Sequence, residues 1–146
     1  MRSTSDKRAM STTPGNRTIA WVLLGIAVAA NIGGYVFNWY TKFVWFDEAI
    51  HAYTIFALTL VLALFAYGAV LTGAHTHAFL LVVVIASIGL AIGGLWEVAE
   101  WLYDMLLTRQ NTIKSVPDRL IDLVMDTIGG VIAGWVALRM LKRSYP

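Results

Sequence analysis

The chain has 146 residues, of which 58% are hydrophobic and 14% charged, with a mean hydropathy of +0.67. A soluble domain carries roughly 25% charged residues and disordered chains are more polar still, so both classes are disfavoured and the length allows one domain. Cysteine is absent, which removes disulfides and thiolate metal sites and leaves three histidines, nine carboxylates and the hydroxyls to carry chemistry.

Residues 1–18 are a polar, Ser/Thr-rich tail with Arg2, Lys7, Arg8 and Arg17. An uncharged apolar stretch follows over 19–40, long enough to cross about 30 Å of hydrocarbon as a helix. Ala27-Val28-Ala29 fits a signal-peptidase pattern, but the hydrophobicity continues past it to Phe37, as in a retained anchor. A second apolar stretch spans 50–71 and is interrupted only by His51. The third spans 79–104 and takes in Glu97, Glu100 and Asp104, and the fourth spans 120–141 with Asp122 and Asp126 in its first turns. Residues 142–146 form a short basic tail. No strand-like alternation interrupts these runs, so the expected fold is all-α: a polytopic membrane protein with a four-helix transmembrane domain over 19–141. Short connections make sequential helices antiparallel neighbours.

Orientation follows from the basic residues. The two tails carry Arg2, Lys7, Arg8, Arg17, Arg139, Lys142 and Arg143 against Asp6 alone. The opposite side holds Lys42, Arg109, Lys114 and Arg119 against eight acids. The positive-inside rule therefore places both termini in the cytoplasm, with Trp39, Tyr40, Trp45, Tyr53, Trp101 and Tyr103 near the outer interface. The same distribution explains the basic pI without nucleic acid and implies membrane lipids as partners, with a homo-oligomer or partner membrane subunit as a further expectation. No glycine-rich phosphate loop occurs.

The acids are grouped. Asp47 and His51 are i,i+4; Glu97, Glu100 and Asp104 follow at i+3 and i+4; Asp118, Asp122 and Asp126 repeat at i+4. Each set occupies one helix face. Gly89 and Gly93 continue the face of Glu97, and Gly130 and Gly134 that of Asp126, so these faces point into packed seams. Asp118 after Pro117 reads as an N-cap or first-turn residue, and His75 and His77 as loop residues remote from the cluster. A structural polar network is one account of the acids. Three chemistries also fit: a divalent metal site, a carboxylate pair in acid/base work, and a proton or ion route. The candidate catalytic residues are Asp47, His51, Glu97, Glu100, Asp104, Asp122 and Asp126; the candidate metal ligands are Asp47, His51, Glu97 and Asp122. The paired Glu-x-x-His motifs of di-iron bundles are missing.

Phe46-Asp47-x-x-x-His51, Gly93-x-x-x-Glu97-x-x-Glu100-Trp101-x-x-Asp104 and Asp118-x-x-x-Asp122-x-x-x-Asp126-x-x-Gly129 resemble the YjdF-like family of small bacterial inner-membrane proteins, largely of unknown function. More distantly, their order is similar to the VanZ-like family, associated with resistance to glycopeptides acting at the cell envelope. Asp126 stands where that pattern has Asn, and Ala52 replaces an aromatic residue. The resemblance covers roughly 45–134 and implies a multi-pass protein of the bacterial inner membrane, but no reaction.

Three functions follow as expectations. The first is an outward-facing, metal-assisted hydrolase or transferase acting on envelope lipid headgroups, with Arg119 meeting a phosphate. The second is a cation- or proton-conducting, transport-related membrane protein. The third is a structural or pigment-associated subunit of a membrane complex.

Overall fold

The computed structural model describes residues 13–66, 78–108 and 115–142; residues 1–12 and 143–146, His75, His77, Arg109 and Lys114 lie outside them. The described residues are all helical apart from short connections. Helix α1 spans Pro14–Val36, the short α2 Trp39–Lys42, α3 Phe46–Ala66, α4 Ala78–Tyr103 and α5 Val116–Lys142. A π-helical turn, Asp104–Thr108, extends α4. Four of these helices are long and apolar enough to cross a membrane, which makes this a multi-pass, all-helical membrane protein.

Local sequence sets the helix starts. Thr13 accepts from the Asn16 N–H and Pro14 opens the first turn of α1. At α5, Ser115 Oγ donates to Asp118 Oδ2 at 2.6 Å while the Asp118 N–H points back to Ser115 Oγ at 3.3 Å. Asp118 is thus a first-turn residue of a capping box that begins at Ser115. Helix α3 starts at Phe46, which brings Asp47 and Glu48 inside its first turn. Asn38, at φ 57°, turns the chain between α1 and α2, so that the Tyr40 and Phe46 rings pack over Gly34, where a side chain would collide with them.

The helices do not pack simply in chain order. Helix α5 lies against both α3 and α4 along its length, whereas α1 packs mainly on α3. Adjacent glycines explain this. Gly129 faces α3, where a Cβ would strike the Ala52 carbonyl and the Phe56 amide. Gly130 and Gly134 face α4, against Ala86 and Val82 backbone atoms. Two small-residue faces on one helix admit two close neighbours, and close backbone approach is the main source of packing energy in lipid.

The core occupies the half of the bundle nearer the chain termini, with Leu60, Leu64, Leu81, Ile85 and Leu141 almost wholly buried. Outward faces of α1, α4 and α5 expose residues such as Val22, Ile32, Leu95 and Val124, as a lipid-facing surface requires. Near that same end the Arg139 guanidinium lies 3.6 Å from the Trp135 ring and Arg17 lies 5.0 Å from the Phe65 ring, pairings suited to a membrane interface.

Gly130→Leu is expected to cost about 1–3 kcal/mol of stability, because the side chain must wedge α4 away from α5. Gly25→Leu, whose Cβ meets nothing within 4 Å, is the control and should stay within about 0.5 kcal/mol. Thermal unfolding in detergent checks the pair, and equal stability for the two variants would contradict the seam.

Candidate functional site: a buried histidine–carboxylate cluster

Helix α3 supplies Asp47 and His51, α4 supplies Glu97 and Glu100, and α5 supplies Asp122 and Asp126. Asp126 lies about 15 Å along α5 from its start at a rise of 1.5 Å per residue, yet it is completely buried. Its side chain fits because it sits directly over Gly93, where any Cβ would overlap it. The same glycine seam that joins α4 to α5 therefore makes room for a carboxylate inside the bundle.

His51 is the centre of the cluster. Its Nδ1 lies 3.3 Å from Asp126 Oδ1 and 3.9 Å from Glu97 Oε1. Its Nε2 faces the other way, 3.7 Å from Asp47 Oδ1 and 4.0 Å from Glu100 Oε1. One imidazole thus links a buried carboxylate pair to a half-buried one. Asp126 Oδ2, in the interior, makes no hydrogen bond among the described residues. Such an atom needs a proton or a cation, since burying an unsatisfied charged oxygen is costly.

Two overlapping groups have metal-binding geometry, Asp47–His51–Asp122 and His51–Glu97–Asp126, each with candidate ligand atoms within 4.8 Å of one another. Neighbouring ligands on a tetrahedral ion lie roughly 3.4 Å apart, so closing either group on an ion requires its ligand atoms to draw together. Mixed carboxylate and imidazole donors suit divalent cations of borderline hardness. A buried cluster able to coordinate a divalent metal is therefore present.

Arg119, one residue beyond the capping Asp118, is the fixed cation of the site. Its Nη1 donates to Glu97 Oε2 and to the Glu97 carbonyl, both at 3.1 Å, and its Nη2 donates to Asp104 Oδ2 at 3.2 Å. This ties the start of α5 to the end of α4. Glu100 accepts from Trp96 Nε1 at 2.8 Å. Asp118 remains at the capping box and is exposed.

These positions overturn the first functional expectation, the outward-facing hydrolase or transferase acting on lipid headgroups. His51 and Glu97 are 6% exposed, Asp122 2% and Asp126 0%. Glu97 is salt-bridged to Arg119, whose guanidinium is thereby committed to carboxylates and not to a phosphate. The acidic faces turn into the helix seams, where glycines admit them, and the cluster is a buried site rather than a surface one.

A cavity of about 720 Å3 lies beside the cluster, bounded by α1 and α2 on one side and α4 on the other, with α3 between. Asp47, His51, Glu100 and Asp104 line it, together with Asn31, Thr54 and several aromatic rings. Asn31 donates to Thr54 Oγ1 at 2.9 Å and accepts from Tyr40 OH at 3.1 Å. Helical spacing gave no sign of Asn31, Tyr40 or Thr54 as site neighbours, since they come from three separate elements. The one available signal was Asn31 itself, an amide well inside an otherwise apolar run.

No solved structure matches the chain. An uncharacterized protein of Thermotoga maritima is 31% identical over 109 residues, covering 68% of this chain and 50% of the relative. The chain thus spans about half the length of that curated relative. The model of a family described as "Predicted membrane protein (DUF2238)" matches residues 8–143, nearly the full length and including every residue of the cluster. The chain belongs to that family.

Proposed function

We propose that this is a cation-handling, transport-related membrane protein in which a divalent cation binds between His51, Glu97 and Asp126. The observation that carries the reading is Asp126: a fully buried carboxylate deep in an apolar bundle, against His51, with one oxygen making no hydrogen bond among the described residues. Ionisable groups at that depth are expensive, and in membranes they mark ion and proton routes. In this reading the protein sits in the bacterial inner membrane with both termini cytoplasmic, and cations reach the site from the acidic, outer end. The distribution of basic residues supports that orientation. The YjdF-like resemblance of the three motifs forms part of the same proposal.

The cleft lined by Asp47 and Glu100 supports access from the acidic end, and the tightly packed Leu60–Leu64–Leu81–Ile85 core supports closure toward the other. Translocation in this scheme requires the α4–α5 seam to part below Gly89. Proton transfer is the second reading, favoured by His51, whose two nitrogens face separate carboxylate pairs. A pigment-ligand role draws no support from a histidine with both nitrogens turned toward carboxylates.

Calorimetric titration of the detergent-purified protein with Mn2+ tests the site, and a stoichiometric binding event is expected. Asp126→Asn should weaken it by at least about tenfold, because even partners outside the first coordination shell are worth 10–100-fold. Folded wild-type protein that binds no Mn2+ would overturn the divalent reading. In proteoliposomes, Mn2+ flux tests transport, and a pH-sensitive dye responding without Mn2+ flux would select the proton reading.

Arg119→Ala should destabilise the bundle by about 3 kcal/mol, since it leaves the buried Glu97 without its fixed cation. Saturating Mn2+ should then raise the thermal unfolding midpoint more in Arg119→Ala than in wild type, because the bound ion supplies the missing positive charge. Equal or smaller stabilisation in the variant would contradict the role given to Arg119.

A further inference from the structure

The cavity beside His51 is far larger than a metal ion needs. A site for one ion occupies a space on the order of a water molecule, about 30 Å3, whereas this one measures about 720 Å3, within the range of roughly 300–1,000 Å3 found for small organic ligands. Its walls are chemically particular. Tyr35 and Tyr40 stand on one side with ring centroids 4.8 Å apart, and Trp96 and Tyr103 stand on the α4 side. The carboxylates of Asp47, Glu100 and Asp104 also face it.

Two of the rings are held in place by hydrogen bonds. Tyr40 donates its hydroxyl proton to Asn31, which is tied in turn to Thr54 and to the Ala27 carbonyl. Trp96 is fixed through its indole N–H to Glu100. The residues lining the cavity include no Lys or Arg, and the nearby Arg119 is held by Asp104 and Glu97. Carboxylates outnumber it, so an anion is disfavoured. A small, strongly hydrated metal ion makes no use of four aromatic rings. A weakly hydrated organic cation uses both features, because ring faces attract it through the quadrupole and the carboxylates through charge.

We propose that this cavity is a binding site for an organic ammonium compound, a quaternary or protonated amine held among Tyr35, Tyr40, Trp96 and Tyr103 with Asp47 and Glu100 as counter-charges. The site is separate from the buried ion site: it uses the Nε2 side of His51, and Glu97 and Asp126 lie on the Nδ1 side. The ammonium group has two possible sources, a free amine or the headgroup of an amine-bearing lipid.

The test is titration of detergent-purified protein with benzyltrimethylammonium, followed by Trp fluorescence and calorimetry. Neopentylbenzene, the neutral compound of the same shape, serves as the comparison. Saturable binding of the cation is expected, with the neutral compound at least about tenfold weaker. Tyr103→Leu and Glu100→Gln should each weaken the cation by about fivefold or more. Mn2+ binding should be unchanged in Tyr103→Leu, which also reports that this variant is folded. Equal binding of the charged and neutral compounds, or absence of saturable ammonium binding in folded wild-type protein, would overturn the proposal whether or not Mn2+ binds. Nanodiscs then separate the sources. Weaker benzyltrimethylammonium binding in phosphatidylethanolamine than in an uncharged glycolipid without an amine supports a lipid headgroup as occupant, and equal binding supports a free amine.

Discussion

Asp126 lies inside this bundle because Gly93 has no side chain. Where the two residues cross, a single Cβ on α4 would overlap the carboxylate. The same approach of α4 to α5 is continued by Gly89 against Gly130, and Gly129 brings the backbone of α5 against α3. The site and the fold therefore rest on one set of contacts. The glycines that let three helices touch also determine that the acid on α5 meets the histidine on α3 and the glutamate on α4, instead of lipid or water.

That arrangement sets a charge problem whose solution is visible in part. Asp47, Glu97, Glu100, Asp122 and Asp126 surround one imidazole, and Arg119 reaches in from the edge, where it also holds Asp104. Arg119 spans Glu97 and Asp104 and so neutralises the edge of the cluster nearest the end of the bundle. The interior, around Asp126 and His51, lies beyond its contacts. A further cation, metal ion or proton, balances the interior at a cost far below that of leaving ionised carboxylates in a low-dielectric environment. Among the described residues, the half of the bundle toward the chain termini has no comparable group, and its close-packed leucines and isoleucine make it an apolar seal.

Much of this was legible in the sequence, and the reason is periodicity. Four long apolar runs give four helices, and i,i+4 spacing puts Asp122, Asp126, Gly130 and Gly134 along one face. What periodicity cannot supply is the partner across the seam. It expected sequential helices to be neighbours, which they are, but not that adjacent Gly129 and Gly130 give α5 a second packing face, against α3. It marked the acidic end of the bundle but led to an outward-facing enzyme, because depth within a helix says nothing about closure by Arg119 and by the opposing backbone. The cavity was invisible for the same reason. Asn31, Tyr40, Thr54 and Trp96 come from four helices, and only the folded chain brings them to one space.

In the proposed function, His51 and its buried carboxylates hold a cation directly. Electron spin-echo spectroscopy of Mn2+ bound to the purified protein reads this at the level of single ligands. Modulation from one imidazole nitrogen is expected in the wild-type protein, with its loss in His51→Gln. Bound Mn2+ with a purely oxygen environment, unchanged by that substitution, would contradict it.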